Sequence, residues 1–337
     1  MLRIALIGLG NVGKAFVKVL LTKAGELAKL GYEPCVVGAL ASRGGVVGDG
    51  CLSNKLLAEL ADKGLYVATK VRGIELGNLI SLNPDVAVVA IPPSYRTGEP
   101  NLSMYRELVR NRVSVVTADK TGLALAYQEL VSEARARGVY LGFTATVMAG
   151  TPALPLLRGL RGRSIDSITG VLNATSNYVL TLVEGGLPMI DAVKRAVEEK
   201  IAEPDPSIDL GGLDAAAKAV IMANTVGLPV SLRNVEVQSL LNLNEAYIRD
   251  AVRRGVRVKQ VASIDLAKGR VSVKPMEVPA SGVLGSVSGN YNTLIIRLRD
   301  GNEITLIGPT GPAGATAEVM FSDLLEYMEL RLMMGKG

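Results

Sequence analysis

Residues 2–7 (LRIALI) form a short apolar run that ends on Gly8, and beyond it Val12, Phe16, Val19 and Leu20 recur at helical spacing. That pattern predicts strand, turn, helix. Further apolar runs predict buried strands at Cys35–Ala41, Tyr66–Ala68 and Val86–Ile91, the last bounded by Asn83-Pro84-Asp85 and Pro92-Pro93. The alternation continues with a helix over 101–111, a strand over 114–117, a helix over 123–137 and a strand over 139–143. Repeated β-α-β units of this kind predict an α/β fold with an N-terminal doubly wound parallel sheet, Rossmann-like in type.

Beyond about residue 150 the pattern changes. Pro152 and Pro155 precede a strand at Ile165–Leu172, helices near 176–184, 188–202 and 213–226, and alternating strand-like segments from 256 to 307. These predict a second, α+β domain with hairpin turns at Lys268-Gly269 and Asp300-Gly301. A short amphipathic helix over 316–332 closes the chain. The expected organisation is 1–143 for dinucleotide binding, 144–307 for substrate binding, catalysis and dimerisation, and 308–337 as a segment returning to the first domain.

Composition narrows the chemistry. The 337 residues are 48% apolar and 20% charged, with a net charge of +5 spread along the chain. No basic block and only 13 aromatic residues leave nothing that points to nucleic acid. There is no histidine, so Ser-His-Asp and Cys-His nucleophile systems and His-ligated metals are excluded, and proton transfer falls to Lys, Asp, Glu, Tyr or Cys. Two cysteines, Cys35 and Cys51, are too few for a disulfide framework and fit a reduced, cytoplasmic protein. No signal peptide or membrane span is read, since Pro152 and Pro155 interrupt the longest uncharged stretch.

Three constellations can carry chemistry. Gly8, Gly10 and Gly13 form G-x-G-x-x-G between predicted strand and helix, where glycine allows close approach of a pyrophosphate to the helix N-terminus. At the end of the second strand an NAD site would carry an acid, whereas this chain has Ser42 and Arg43, which suit the 2′-phosphate of NADP; the alternative is a solvated loop arginine. Asp214 and Lys218 are four residues apart on one helix face and are the only charges between Asp209 and Arg233. The bland alternative is a surface pair worth ~0.3–0.5 kcal/mol. Flanking Ala215, Ala216, Ala217, Val220 and Ile221 instead suggest a partly dehydrated lysine, suited to proton transfer. Lys120 stands at a predicted strand end, the edge where open α/β sheets bind ligands.

The stretches GLGNVG (8–13), TGEP (97–100), VVTADKTGLALAY (115–127), ATVMAGTP (145–152), VLNATSNYVL (171–180) and EPDPSIDLGGLDAAAK (203–218) together resemble the homoserine dehydrogenase family. The resemblance implies NAD(P)-linked interconversion of L-homoserine and L-aspartate 4-semialdehyde. Under it Lys218 is the acid/base and Lys120 lies beside substrate and nicotinamide, while Glu203, Asp209, Asp214 and Thr175 line the amino-acid pocket. The implied cofactor contacts are Gly8, Gly10, Asn11, Val12, Gly13, Pro92, Ser94, Lys120 and Gly311, with Ser42 and Arg43 added from the strand-end reading. A sodium site on the backbone carbonyls of Thr144, Val147, Ala149 and Thr151, and a homodimer, are also implied.

The chain departs from the family pattern at Asp119, where an asparagine is usual, and at Thr144, where an acid is usual. It also departs at Met104, near the place of a histidine, and at Pro312, where a glycine is expected. Because the sequence stops soon after Leu330, no threonine feedback through a C-terminal regulatory domain is expected. Two other readings stay open: a different two-domain NAD(P)-dependent oxidoreductase, and a non-catalytic NADP-binding module.

Overall fold

The computed structural model describes residues 1–67 and 73–335, and within it the chain divides into two compact units. Unit one comprises residues 1–122, 126–149 and 311–337; unit two comprises 123–125 and 150–310.

In chain order, unit one starts with β1 (Leu2–Ile7), α1 (Asn11–Thr22), α2 (Ala24–Lys29), β2 (Pro34–Ala41), β3 (Gly44–Val47), α3 (Asn54–Lys63) and α4 (Leu76–Ile80). It continues with β4 (Val86–Val89), α5 (Asn101–Arg110), β5 (Ser114–Thr117), α6 (Thr121–Arg137) and β6 (Leu141–Gly142). These strands form one sheet in the order β3-β2-β1-β4-β5-β6. All its pairings are parallel except the β2–β3 hairpin. Strands buried on both faces read as unbroken apolar runs, which is why β1, β4 and β5 show no alternation. Strand order reverses direction at β1, with β2 on one side and β4 on the other.

Unit two contains α7 (Ala153–Gly159), β7 (Ile165–Val171), α8 (Ala174–Glu184), α9 (Met189–Glu198), α10 (Ser207–Leu210), α11 (Leu213–Thr225), β8 (Glu236–Val237) and α12 (Glu245–Arg253). Then follow β9 (Val256–Asp265), β10 (Arg270–Pro279), α13 (Val283–Ser286), β11 (Tyr291–Leu298) and β12 (Glu303–Pro309). Its sheet runs β12-β11-β7-β9-β10-β8 and is antiparallel except where β8 joins β10. Helices α8 and α11 pack on it. Within unit two, Lys259 of β9 is fully buried and donates from Nζ to Asn177 Oδ1 at 3.0 Å, with the Glu184 carboxylate 3.8 Å away. Burial lowers the Lys259 pKa and raises that of Glu184.

The last helix, α14 (Ala313–Met333), belongs to unit one. Its Met320, Phe321, Leu324, Tyr327 and Met328 join the same apolar core as Leu6, Phe16 and Leu20. Arg331 and Tyr327 both reach Asp85, where β4 begins.

Several expectations need correction. The strand expected at Tyr66–Ala68 is a 3-10 turn over Gly64–Val67, because Gly64 at φ +66° ends α3; Ala68 lies outside the described residues. Cys35 and Cys51 form a disulfide, so the reading of two unpaired thiols fails. The β2–β3 hairpin folds the chain back and brings residue 51 beside the start of β2, where Leu52 N donates to Val36 O at 2.7 Å; a cysteine count carries no such information. The closing helix is 21 residues long rather than short. The hairpin turns at 268–269 and 300–301 are as expected.

Candidate active site

In unit one, four neighbouring parallel strands end on the same edge. β2 ends at Ser42 and Arg43, the two exposed residues of the hairpin turn into β3. β1 ends at the Gly8–Gly13 turn, β4 ends just before Pro92 and Ser94, and β5 ends just before Asp119 and Lys120. The carboxyl edge of an open parallel sheet, where strand order reverses, is the usual ligand position in such folds.

The glycine turn fits a dinucleotide. Gly8 has φ +93°, and a Cβ there would run into the carbonyl oxygen of Ala90. A Cβ on Gly13 would run into the carbonyl of Gly8 at the start of α1. Gly10 is the N-cap of α1, has open space around its Cα and supplies no side-chain cap. No acid stands in the first turn and no side chain caps it, so the first amides of α1 are left for an anion such as a pyrophosphate.

Beside this edge, Asp119 is 2% exposed. It accepts from Thr121 N at 3.0 Å, Thr121 Oγ1 at 2.8 Å, Asn101 Nδ2 at 3.1 Å and Tyr105 OH at 3.1 Å. Burial raises its pKa and also pushes the Tyr105 phenol well up. Asn101 Nδ2 further donates to Pro92 O, and Ser94 N donates to Thr121 Oγ1 at 2.9 Å. One buried network therefore ties the ends of β4 and β5 together and sets the backbone on which Lys120, half-buried, projects. Gly311, half-buried, precedes α14 and accepts from Thr316 Oγ1 at 3.3 Å.

In unit two the charged residues converge at the junction of β7, α8, α10 and α11. The α11 sequence LDAAAKAVIMANT carries no charge apart from Asp214 and Lys218, and Gly212 at φ +87° opens it. Lys218 Nζ donates to Leu172 O at 2.7 Å and pairs with Asp214 Oδ2 at 2.8 Å. The two side chains are only 12% and 13% exposed, so the pair is not the solvent-facing one of the bland alternative. Asn173 Nδ2 donates to Asp214 Oδ2 at 2.9 Å and to Asp209 Oδ1 at 2.6 Å. Gln260 Nε2 reaches the backbone carbonyls of Asp209 and Leu210 at 3.4 Å.

Thr175 is buried and donates to Ile201 O at 3.0 Å, which pins the start of the 201–206 loop to α8. Glu203 on that loop is exposed and makes no hydrogen bond or ion pair among the described residues. The structure thus gathers Lys218, Asp214 and Asp209 into one cluster and leaves Thr175 on α8 and Glu203 on the flanking 201–206 loop. The central amide, Asn173, was missed from sequence, although its position just before Ala174-Thr175-Ser176 is a helix N-cap signal.

Thr144 and Val147 lie in and after a 3-10 turn of unit one, where Thr144 N donates to Asp323 Oδ2 at 2.8 Å. Ala149 follows in unit one, and Thr151 falls in unit two, where its carbonyl accepts from Ala153 N at 2.7 Å. Among the described residues no cluster of three or more acidic or cysteine side chains could hold a metal ion.

The homoserine dehydrogenase family model matches residues 152–325, more than half of the chain. The chain belongs to the homoserine dehydrogenase family. A homoserine dehydrogenase of Sulfurisphaera tokodaii is 35% identical over 327 residues, 96% of this chain and 98% of that one. Among solved structures, a putative homoserine dehydrogenase from Archaeoglobus fulgidus has a TM-score of 0.85 at 29% identity, covering 97% and 99% of the two chains. A hyperthermophilic archaeal homoserine dehydrogenase solved in complex with NADPH has a TM-score of 0.81 at 30% identity, covering 98% of each. The fold and the family agree over nearly the whole length, both units included.

Proposed function

We propose that the chain interconverts L-homoserine and L-aspartate 4-semialdehyde, as a nicotinamide-dependent oxidoreductase with NADP preferred over NAD. The observation that carries this reading is Lys218 Nζ, held by Leu172 O and Asp214 within a nearly dehydrated cluster of a family member. Oxidising a primary alcohol removes a hydride from carbon and a proton from oxygen; bound nicotinamide supplies the hydride chemistry. The chain's own residues handle the proton. Neutral Lys218 Nζ takes it from the substrate hydroxyl in oxidation, and as ammonium returns it to the carbonyl oxygen in reduction.

Two donors of that ammonium are already committed to Leu172 O and Asp214, which leaves a single N–H direction for substrate. Glu203 is the carboxylate for the substrate ammonium, being exposed and without a partner among the described residues. Asp209 and Asp214 orient the lysine. The uncapped first turn of α1 holds the pyrophosphate, and the Ser42-Arg43 turn holds the 2′-phosphate. Pro92, Ser94 and Lys120 belong to the nicotinamide end of the same edge.

No step is assigned to a cation at Thr144, Val147, Ala149 and Thr151. A symmetric dimer is proposed through the edge strand β12, where Ile307 is half exposed beside the exposed Tyr291 of β11. The proposed location is the cytoplasm, in which case Cys35–Cys51 is one of the intracellular disulfides known chiefly from hyperthermophiles. No helix among the described residues is long and apolar enough to cross a membrane.

The test is direct. Purified protein should oxidise NADPH when given L-aspartate 4-semialdehyde and not without it, and more efficiently than it oxidises NADH. Arg43→Ala should lower the NADPH-to-NADH preference by roughly tenfold, the loss of one charge-assisted contact of about 1.4 kcal/mol. Cofactor oxidation that does not depend on the semialdehyde rejects the reading. An unchanged preference in Arg43→Ala rejects the 2′-phosphate assignment.

A further inference from the structure

We propose that Asn173 is a positioning residue for proton transfer: its side-chain amide clamps Asp209 and Asp214 together and thereby fixes Lys218 Nζ. This rests on the reading of Lys218 as the acid/base.

Asn173 is 4% exposed and stands between β7 and α8. Its Oδ1 accepts from Ser176 N at 2.8 Å, and the oxygen is the only acceptor an asparagine side chain offers to a backbone amide. That bond settles which end of the side chain is nitrogen, so the NH2 group faces the carboxylates. Both of its hydrogens are used, one on Asp209 Oδ1 at 2.6 Å and one on Asp214 Oδ2 at 2.9 Å. Two anions that bond to one nitrogen are held closer than their mutual repulsion favours. Without the amide they separate, and Asp214 is the partner of Lys218.

Asn173 controls the second acceptor of Lys218 too. Leu172 O, which accepts from Nζ at 2.7 Å, lies on the peptide joining Leu172 to Asn173. The direction of that carbonyl is fixed by the extended N-cap conformation, φ −123° and ψ 117°. The cap is locked on both sides: Asn173 Oδ1 accepts from Ser176 N, and Ser176 Oγ donates to Asn173 O at 3.0 Å. One residue therefore sets Asp214 through its side chain and Leu172 O through its backbone. What remains of the ammonium is one N–H in one direction, which is the geometry directed proton transfer needs.

Asn173→Ser separates the two roles, because serine retains the N-cap acceptor and lacks the amide donors. We expect its thermal midpoint and NADPH affinity to stay close to those of the unaltered protein. Turnover of L-homoserine should fall roughly 10–100-fold, the scale of a misplaced catalytic group. The pH midpoint of the oxidation rate should also move down, as the ammonium loses its fixed anion. A purely structural cap would leave that midpoint unmoved. In the background of Asp214→Asn, Asn173→Ser should add little, since the clamped anion is already gone.

Unchanged turnover and an unchanged pH midpoint in Asn173→Ser, with Lys218→Met inactive, overturn this inference alone. Full activity of Lys218→Met overturns the underlying reading instead. Should Asn173→Ser fail to fold, Asn173→Thr carries the same test, because it keeps a cap oxygen, lacks the amide donors and adds no charge.

Discussion

The two units hold their functional residues by opposite means. In unit one the candidate cofactor edge is mostly backbone: Gly8 and Gly13 are there because any Cβ would strike a carbonyl, and the amides of α1 are left uncapped. In unit two the candidate proton site is nearly all side chain, with an ammonium, two carboxylates and one amide in a single hydrogen-bonded set. A backbone site tolerates many side chains and few shapes. A side-chain site depends on the chemistry of each member and on the neighbours that hold that member in place.

That contrast can be broken at its strongest point first. Gly13→Ala adds a single methyl that presses on the Gly8 carbonyl, so either the turn or α1 must shift. Overpacking of this kind costs about 1–3 kcal/mol. NADPH affinity measured by calorimetry should therefore weaken by roughly 5- to 150-fold. An unchanged NADPH Kd would show that the edge does not depend on close backbone approach.

A smaller effect sharpens the same contrast inside unit one. Asp119 is the buried anion nearest the cofactor edge, and its raised pKa means that the folded protein binds its proton more tightly than the unfolded chain does. The stabilisation is present below the usual carboxylate range and is lost as pH rises through the native value, about 1.4 kcal/mol for each unit of displacement. Asp119→Asn removes that titration. Its stability relative to the unaltered protein, read from denaturant midpoints between about pH 4 and pH 7, should therefore improve with rising pH. A pH-independent difference would mean that the four donors around Asp119 fully offset its burial.

Sequence made unit one's frame plain, because β1, β4 and β5 are buried on both faces and the Gly8–Gly13 turn can be read without knowing what packs where. The β2–β3 hairpin escaped notice, since Ser42-Arg43 is not a usual turn pair and Gly44-Gly45 reads as loop. Its disulfide escaped with it. In unit two the lone pair Asp214 and Lys218 stood out against an alanine-rich helix. Asn173 did not, because its importance comes from α10 and α11 folding back onto the end of β7, contacts that span 36 and 41 residues. Local pattern reveals a cap; only tertiary structure reveals that the cap's amide is also the bridge between two acids.

The most direct measurement is the turnover of Lys218→Met with L-aspartate 4-semialdehyde, made on protein shown by calorimetry to bind NADPH as the unaltered chain does. Loss of a positioned acid/base predicts a fall of ~10²–10⁴ in kcat with cofactor affinity intact. A fall smaller than about tenfold, with NADPH still bound, would contradict the assignment of the proton to this ammonium.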